Sequence, residues 1–175
     1  MQVNTSKPYS REEFLRNFAD LFEHSPWIAE SAFDLLKQKC QSLNLPEIDE
    51  LDEMFRITIM NATPALQMEL LNAHPELACS IADSNHLTVD SQNEQFKAGL
   101  QACSPEEFEE FRQLNQNYRD KFGFPFIVAV KGMKRAEILA LFRQRIEGDV
   151  TEESTTALRQ VCRIGRIRLE SKLND

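Results

Sequence analysis

The chain has 175 residues, 42% of them hydrophobic and 27% charged, enough for one globular domain with a sizeable core spanning residues 1–175. Its net charge of −8 excludes broad nucleic-acid binding, which needs a basic surface to displace counterions. No apolar run approaches the roughly 20 residues that cross a bilayer, and the opening MQVNTSKPYSREEF lacks a signal-peptide core. No membrane association and a cytoplasmic location are therefore expected, the SKL at Ser171–Leu173 being internal and no peroxisomal address.

The pattern is helical almost throughout. Ser10 followed by Glu13 reads as a capping box, opening a helix whose face carries Phe14, Leu15, Phe18 and Phe22. The string HSPW ends it, because Pro26 disfavours helix at Ser25. A second helix is expected over about Trp27 to Cys40 and a third over about Pro46 to Asn61. Thr63 and Pro64 are placed as cap and first residue of a short helix that reaches the Asn72–Pro75 break. Ser104, Pro105 and Glu107 combine cap, N1 proline and capping-box acid at the head of a helix carrying Phe108, Phe111, Leu114 and Tyr118, which stops near Gly123. Two more helices follow, from about Lys134 to Glu147 and from Thr151 toward the C-terminus. One segment breaks the pattern: Phe122–Val130, FGFPFIVAV, is apolar and β-branched and is interrupted by Gly123 and Pro125. It is expected to lie extended among helices, its backbone groups needing partners, a ligand among the possibilities. The predicted class is all-α, about eight helices and one extended apolar segment.

Cys40, Cys79, Cys103 and Cys162 have neither metal-clamp nor redox-motif spacing, and are expected as reduced thiols. Three other places strain a purely structural account. His74 in NAHPELA precedes a proline, so its ring is set by a chain break and not by a helix face. Neither His24 nor His86 is at helical spacing from it, which leaves a metal site unsupported. In SQNEQ, Ser91, Glu94 and Gln95 stand at i, i+3 and i+4, so a helix there would turn hydroxyl, carboxylate and carboxamide the same way. Such a face suits a small polar ligand or is simply solvated. Arg168 falls in the apolar sector of the last helix with Ala157, Val161 and Ile164, whereas Arg159, Arg163 and Arg166 are expected in solvent. An arginine on an apolar face needs a partner, either a structural carboxylate or an anionic ligand.

Taken together, FEHSPWIAE (22–30), HPELA (74–78), SQNEQ (91–95), SPEEF (104–108), LNQNYRDKFGFPFIVAVKG (114–132) and RIGRIRL (163–169) resemble the 2-oxo-4-hydroxy-4-carboxy-5-ureidoimidazoline (OHCU) decarboxylase family. The resemblance covers nearly the whole chain, and the combination of HP, S-x-x-E-Q and FGFPF is its specific part. It implies an all-helical homodimer that converts OHCU to (S)-allantoin and carbon dioxide with no cofactor and no metal. By the same resemblance His74, Glu94 and Arg168 are catalytic. Pro75, the segment Ser91, Gln92, Asn93, Glu94 and Gln95, and the stretch Phe126, Ile127, Val128, Ala129 and Val130 would contact substrate, the last largely through backbone. Cys79 stands where the family commonly has glycine, and Gly165 inside the last helix costs about 1 kcal/mol relative to alanine. A non-catalytic helical binding or scaffold protein, and a decarboxylase of a related ureido acid, are the rival readings.

Overall fold

Local capping chemistry starts three of the helices where the sequence puts them, at Ser10, Thr63 and Ser104. A computed structural model describes residues 9–39, 47–77 and 88–174. Its described residues form eight α-helices and a short 3-10 turn, with no strand. By contact they group into two compact units: residues 1–73 with 161–175, and residues 74–160.

In the first unit, α1 (Arg11–Phe18) opens on a reciprocal capping box. Ser10 Oγ accepts from the Glu13 N–H at 3.2 Å, and the Glu13 carboxylate accepts from the Ser10 N–H at 2.9 Å. The helix ends at Phe18, earlier than its apolar face suggested, and Phe22 is reached through a turn instead. In that turn His24 has φ 47° and points outward, while Glu23 and Ser25 are buried. Then come α2 (Trp27–Lys39), α3 (Ile48–Met60) and α4 (Pro64–Ala73). The Thr63 hydroxyl caps α4 by accepting from the Leu66 N–H, and Gln67 donates to the Ile59 and Met60 carbonyls that end α3. Phe14, Phe18, Phe22, Phe33 and Phe55 form one aromatic cluster, with centroids 4.8–6.4 Å apart, over which α1, α2 and α3 pack.

The second unit holds the loop that begins at His74, α5 (Val89–Lys97), the 3-10 turn Leu100–Ala102, α6 (Pro105–Phe122) and α7 (Arg135–Arg145). The Ser104 capping box and Pro105 open α6, and Gly123 at φ 78° closes it in the left-handed conformation that glycine adopts without steric cost. Residues 124–130 then run without helix or strand pairing, every one buried. Tyr118, Phe122, Phe124, Phe126 and Phe142 pack around this segment, with Phe126 stacked on Phe142 at 3.9 Å. The last helix, α8 (Val150–Asn174), is uninterrupted; its residues up to Gln160 belong to this unit and those from Val161 to the first. The expected all-α class and the extended apolar segment are both present. Among the described residues no helix is long and apolar enough to cross a membrane.

Candidate functional site

His74 follows the last residue of α4 and is buried. The proline after it breaks the helical ladder, so the next residues leave the helix as a loop whose carbonyls need new partners. Polar side chains supply them. Gln95 Nε2 on α5 donates to the Glu76 carbonyl at 3.2 Å, and Asn115 Nδ2 on α6 donates to the Leu77 carbonyl at 2.9 Å. One turn along α6, Arg119 Nε donates to the Glu76 carboxylate at 2.8 Å. The loop carrying His74 and Pro75 is thus fixed at three points just downstream of the imidazole. Among the described residues the buried Asn115 Oδ1 finds no hydrogen-bond partner.

The S-x-x-E-Q segment is helical, as its spacing requires. Thr88, which the sequence reading did not single out, caps α5 by accepting from the Ser91 N–H. Ser91 and Gln95 are buried, Gln92 and Glu94 are half-buried, and Asn93 is exposed. A merely solvated face would not bury the first and last members of the set. Gln95 joins this helix to the His74 loop directly, so part of its hydrogen-bonding capacity is spent on protein and not on a ligand.

Of the stretch 126–130, Ile127 and Ala129 are held on their backbone by side chains. Arg145 Nη1 donates to the Ile127 carbonyl at 2.7 Å, and the Ala129 N–H donates to Gln160 Oε1 at 3.1 Å. These residues are two apart, the spacing at which an extended chain presents peptide groups along one edge. Among the described residues Phe126 and Val128, which alternate with them, take no hydrogen bond, and the Val130 carbonyl accepts from the Met133 N–H. Helix α6 supports both parts of this unit: Asn115 and Arg119 hold the His74 loop, and Tyr118 packs edge-on against Phe126 at 5.4 Å.

Arg168 is assigned to the first unit, and the other expected residues to the second. It is buried and has a structural carboxylate: Nη2 donates to Glu23 Oε1 at 3.1 Å and Nη1 to the Leu21 carbonyl at 3.2 Å. Of the two partners left open by the sequence, the carboxylate is present. The neighbouring arginines divide. Arg159 and Arg163 are exposed, but Arg166 is half-buried in ion pairs with Asp49 at 2.6 Å and Glu170 at 2.8 Å.

The sequence reading missed a buried charge cluster. Arg145 Nε donates to Glu153 Oε1 at 2.9 Å, the Arg145 Nη2 and the Tyr118 hydroxyl bond the same oxygen, and the guanidinium lies 4.7 Å over the Phe126 ring. Burial, and then the bond to Glu153, push the Tyr118 hydroxyl far above its ordinary pKa. The signal that flagged Arg168 was available for Arg145, which follows Ile138, Leu139 and Phe142 on the buried face of α7. Asn115 likewise lies in line with Phe111, Tyr118 and Phe122 on α6. Among the described residues no group of three His, Cys, Asp or Glu is placed to hold a metal. The expectation of four reduced thiols fails at Cys103, which is disulfide-bonded, while Cys162 is free. Sequence spacing is blind to such pairings, because folding joins distant cysteines. Cys40, Ala78, Cys79 and His86 lie outside the described residues.

Comparison with known proteins gives this arrangement a setting. Residues 7–170 match the family described as OHCU decarboxylase. A protein of Halalkalicoccus jeotgali named 2-oxo-4-hydroxy-4-carboxy-5-ureidoimidazoline decarboxylase is 38% identical over 160 residues, covering 91% of this chain and 85% of that one. The crystal structure of an (S)-allantoin synthase superposes with a TM-score of 0.75 at 28% identity; the match covers 94% of this chain, which spans about half, 51%, of that one. An OHCU decarboxylase crystallised in the presence of (S)-allantoin matches over 95% of this chain and 100% of its own with a TM-score of 0.70; at 20% identity it supports the fold alone.

Proposed function

The chain belongs to the OHCU decarboxylase family, and we propose that it converts OHCU to (S)-allantoin and carbon dioxide, the last step from urate. The observation that carries this reading within the chain is the buried His74 at the head of a loop held by Gln95 of the S-x-x-E-Q helix and by Asn115. Decarboxylation breaks the bond between the ring carbon and its carboxylate, and the electron pair needs a place to go. In OHCU an adjacent ring carbonyl or imine accepts it as an enolate-like species, so the substrate brings its own sink and the reading requires no cofactor. The released carbon then takes a proton on one face.

The chain's tasks are to orient, to stabilise developing charge and to move a proton. The Glu94 carboxylate accepts from the N–H-rich ureido and ring groups, and Ser91 and Gln95 complete that face. Phe126 and Val128 offer peptide N–H and C=O groups to the heterocycle. His74 exchanges the proton, imidazole being the side chain suited to proton transfer near neutrality. Arg168 offsets negative charge on the carboxylate or ring oxygen, a role carried by the family resemblance. A homodimer in the cytoplasm belongs to the same reading, and light scattering on the purified chain tests the dimer.

The deciding experiment is a circular-dichroism time course of freshly oxidised urate with hydroxyisourate hydrolase, with and without this protein. Rapid appearance of the dextrorotatory allantoin signal, against slow racemic decay in the control, is the expected result. An unchanged decay with folded protein overturns it and leaves a binding protein of this fold.

A further inference from the structure

We propose that Gln160 and Arg145 are positioning residues that set the register of the 126–130 segment and so turn the peptide groups of Val128 toward the substrate. The inference rests on the decarboxylase reading above and names residues that act through the backbone, not on the reacting atoms.

The segment has no strand partner to fix its rotation about its own axis. Two side chains do that work on one edge: Arg145 holds the Ile127 carbonyl and Gln160 holds the Ala129 N–H. With both engaged, the intervening Val128 is constrained to face the other way, its N–H and C=O unclaimed among the described residues. The two holders differ in how firmly they are set. Arg145 is locked by three further interactions: its bonds to Glu153, the Tyr118 hydroxyl on the same carboxylate, and the Phe126 ring beneath the guanidinium. Phe126 is itself held by Phe142, nearly parallel at 10°, and by Tyr118 edge-on. Such a network costs more to bury than a surface pair, and removing one member strands the others, so its arrangement is all or none. Gln160 is half-buried and enters only through its oxygen among the described residues. It is therefore the member that substitution can address without disturbing a buried charge.

The chemistry of that oxygen supplies the test. Gln160→Glu retains an acceptor for the Ala129 N–H, whereas Gln160→Met keeps the length of the side chain and loses the acceptor. For Gln160→Met we expect KM for OHCU to rise about fivefold to tenfold, the loss of one hydrogen bond's worth of alignment, with kcat within about twofold of the parent. Inhibition by added (S)-allantoin should weaken in parallel. Gln160→Glu should restore both. Arg145→Lys, which keeps the charge for Glu153 but lacks the fork that also reaches Ile127, should shift KM in the same direction, and it serves should Gln160→Met fail to fold.

A folded Gln160→Met with unchanged KM and unchanged allantoin inhibition overturns the inference, as does a fall in kcat alone or an equal loss in the Met and Glu variants. Parent protein that does not turn over OHCU at all refutes the decarboxylase reading instead, so the two failures are told apart.

Discussion

Replacing Gly165 with alanine should destabilise the protein, although the general rule for a helix interior says the opposite. Alanine at such a position gains about 1 kcal/mol over glycine. Here a Cβ would meet Phe22 Cε1 at 2.4 Å and Cζ at 2.6 Å. Carbon atoms rest at about 3.5–4.0 Å, so the ring must withdraw by about an ångström. Phe22 has little room to do so, being buried and edge-on to Phe55 at 5.6 Å. Overpacking of this kind costs about 1–3 kcal/mol, at the upper end for so close a contact, which leaves a net loss of about 1–2 kcal/mol. In a chain of this length that lowers Tm by about 2–8 °C, read by thermal unfolding. The effect reaches further than stability, because Glu23 follows Phe22 and holds Arg168, three residues beyond Gly165 on the same helix. Phe22→Leu removes the clashing ring atoms, so the double variant should be at least as stable as Phe22→Leu alone, a coupling of about 1 kcal/mol or more. A Gly165→Ala protein that melts above the parent would refute the reasoning.

His74→Asn should abolish stereoselective allantoin formation while leaving the helical circular-dichroism spectrum intact; near-parental turnover would remove His74 from the mechanism. Glu23→Ala should cost about 3–5 kcal/mol in urea unfolding, because it breaks a buried ion pair by removing one partner. A loss below about 1 kcal/mol would mean that other groups satisfy that charge. The Cys162 thiol is pushed up to about 11, by burial first and by Asp52 second, against the opposing pull of Arg56. The folded chain keeps this proton where the unfolded chain, near its ordinary 9.0, gives it up. Stability is therefore full below about pH 9 and falls as pH rises toward 11; Cys162→Ala should flatten that part of the stability–pH curve, and an unchanged slope would contradict the assignment.

The starts of α1, α4 and α6 were legible because each rests on atoms within one turn. Ser10 with Glu13, Ser104 with Glu107, and Thr63 before Pro64 state their own geometry. The three places that resisted a structural account, His74, the S-x-x-E-Q face and Arg168, were visible because polar groups stood where local pattern called for apolar or solvated ones. Their partners were not visible. Arg168 meets Glu23 across 145 residues of chain, and no local rule chooses that carboxylate. Gln95 was read as facing a ligand, yet one of its bonds goes to the Glu76 carbonyl, a partner that exists only once the loop's path is set. Asn115 and Arg145 could have been found by applying to α6 and α7 the test used on the last helix. The end of α1 was misplaced for a different reason: Phe22 keeps helical spacing from Phe18 but is delivered to the core by a turn.

The grip on the His74 loop also bears on how the sequence can drift. Gln95 and Asn115 hold carbonyl oxygens, which every amino acid carries, and only Arg119 engages a side chain, in a pair that is nearly half exposed on both sides. Position 76 is therefore free to change type at the cost of one surface ion pair, worth about 0.2–1 kcal/mol. Positions 95 and 115 have no such freedom, because few side chains present an amide N–H at that reach. A saturation library scored for activity should show the asymmetry as a permissive site two residues from His74, tethered by two intolerant sites far away in the chain.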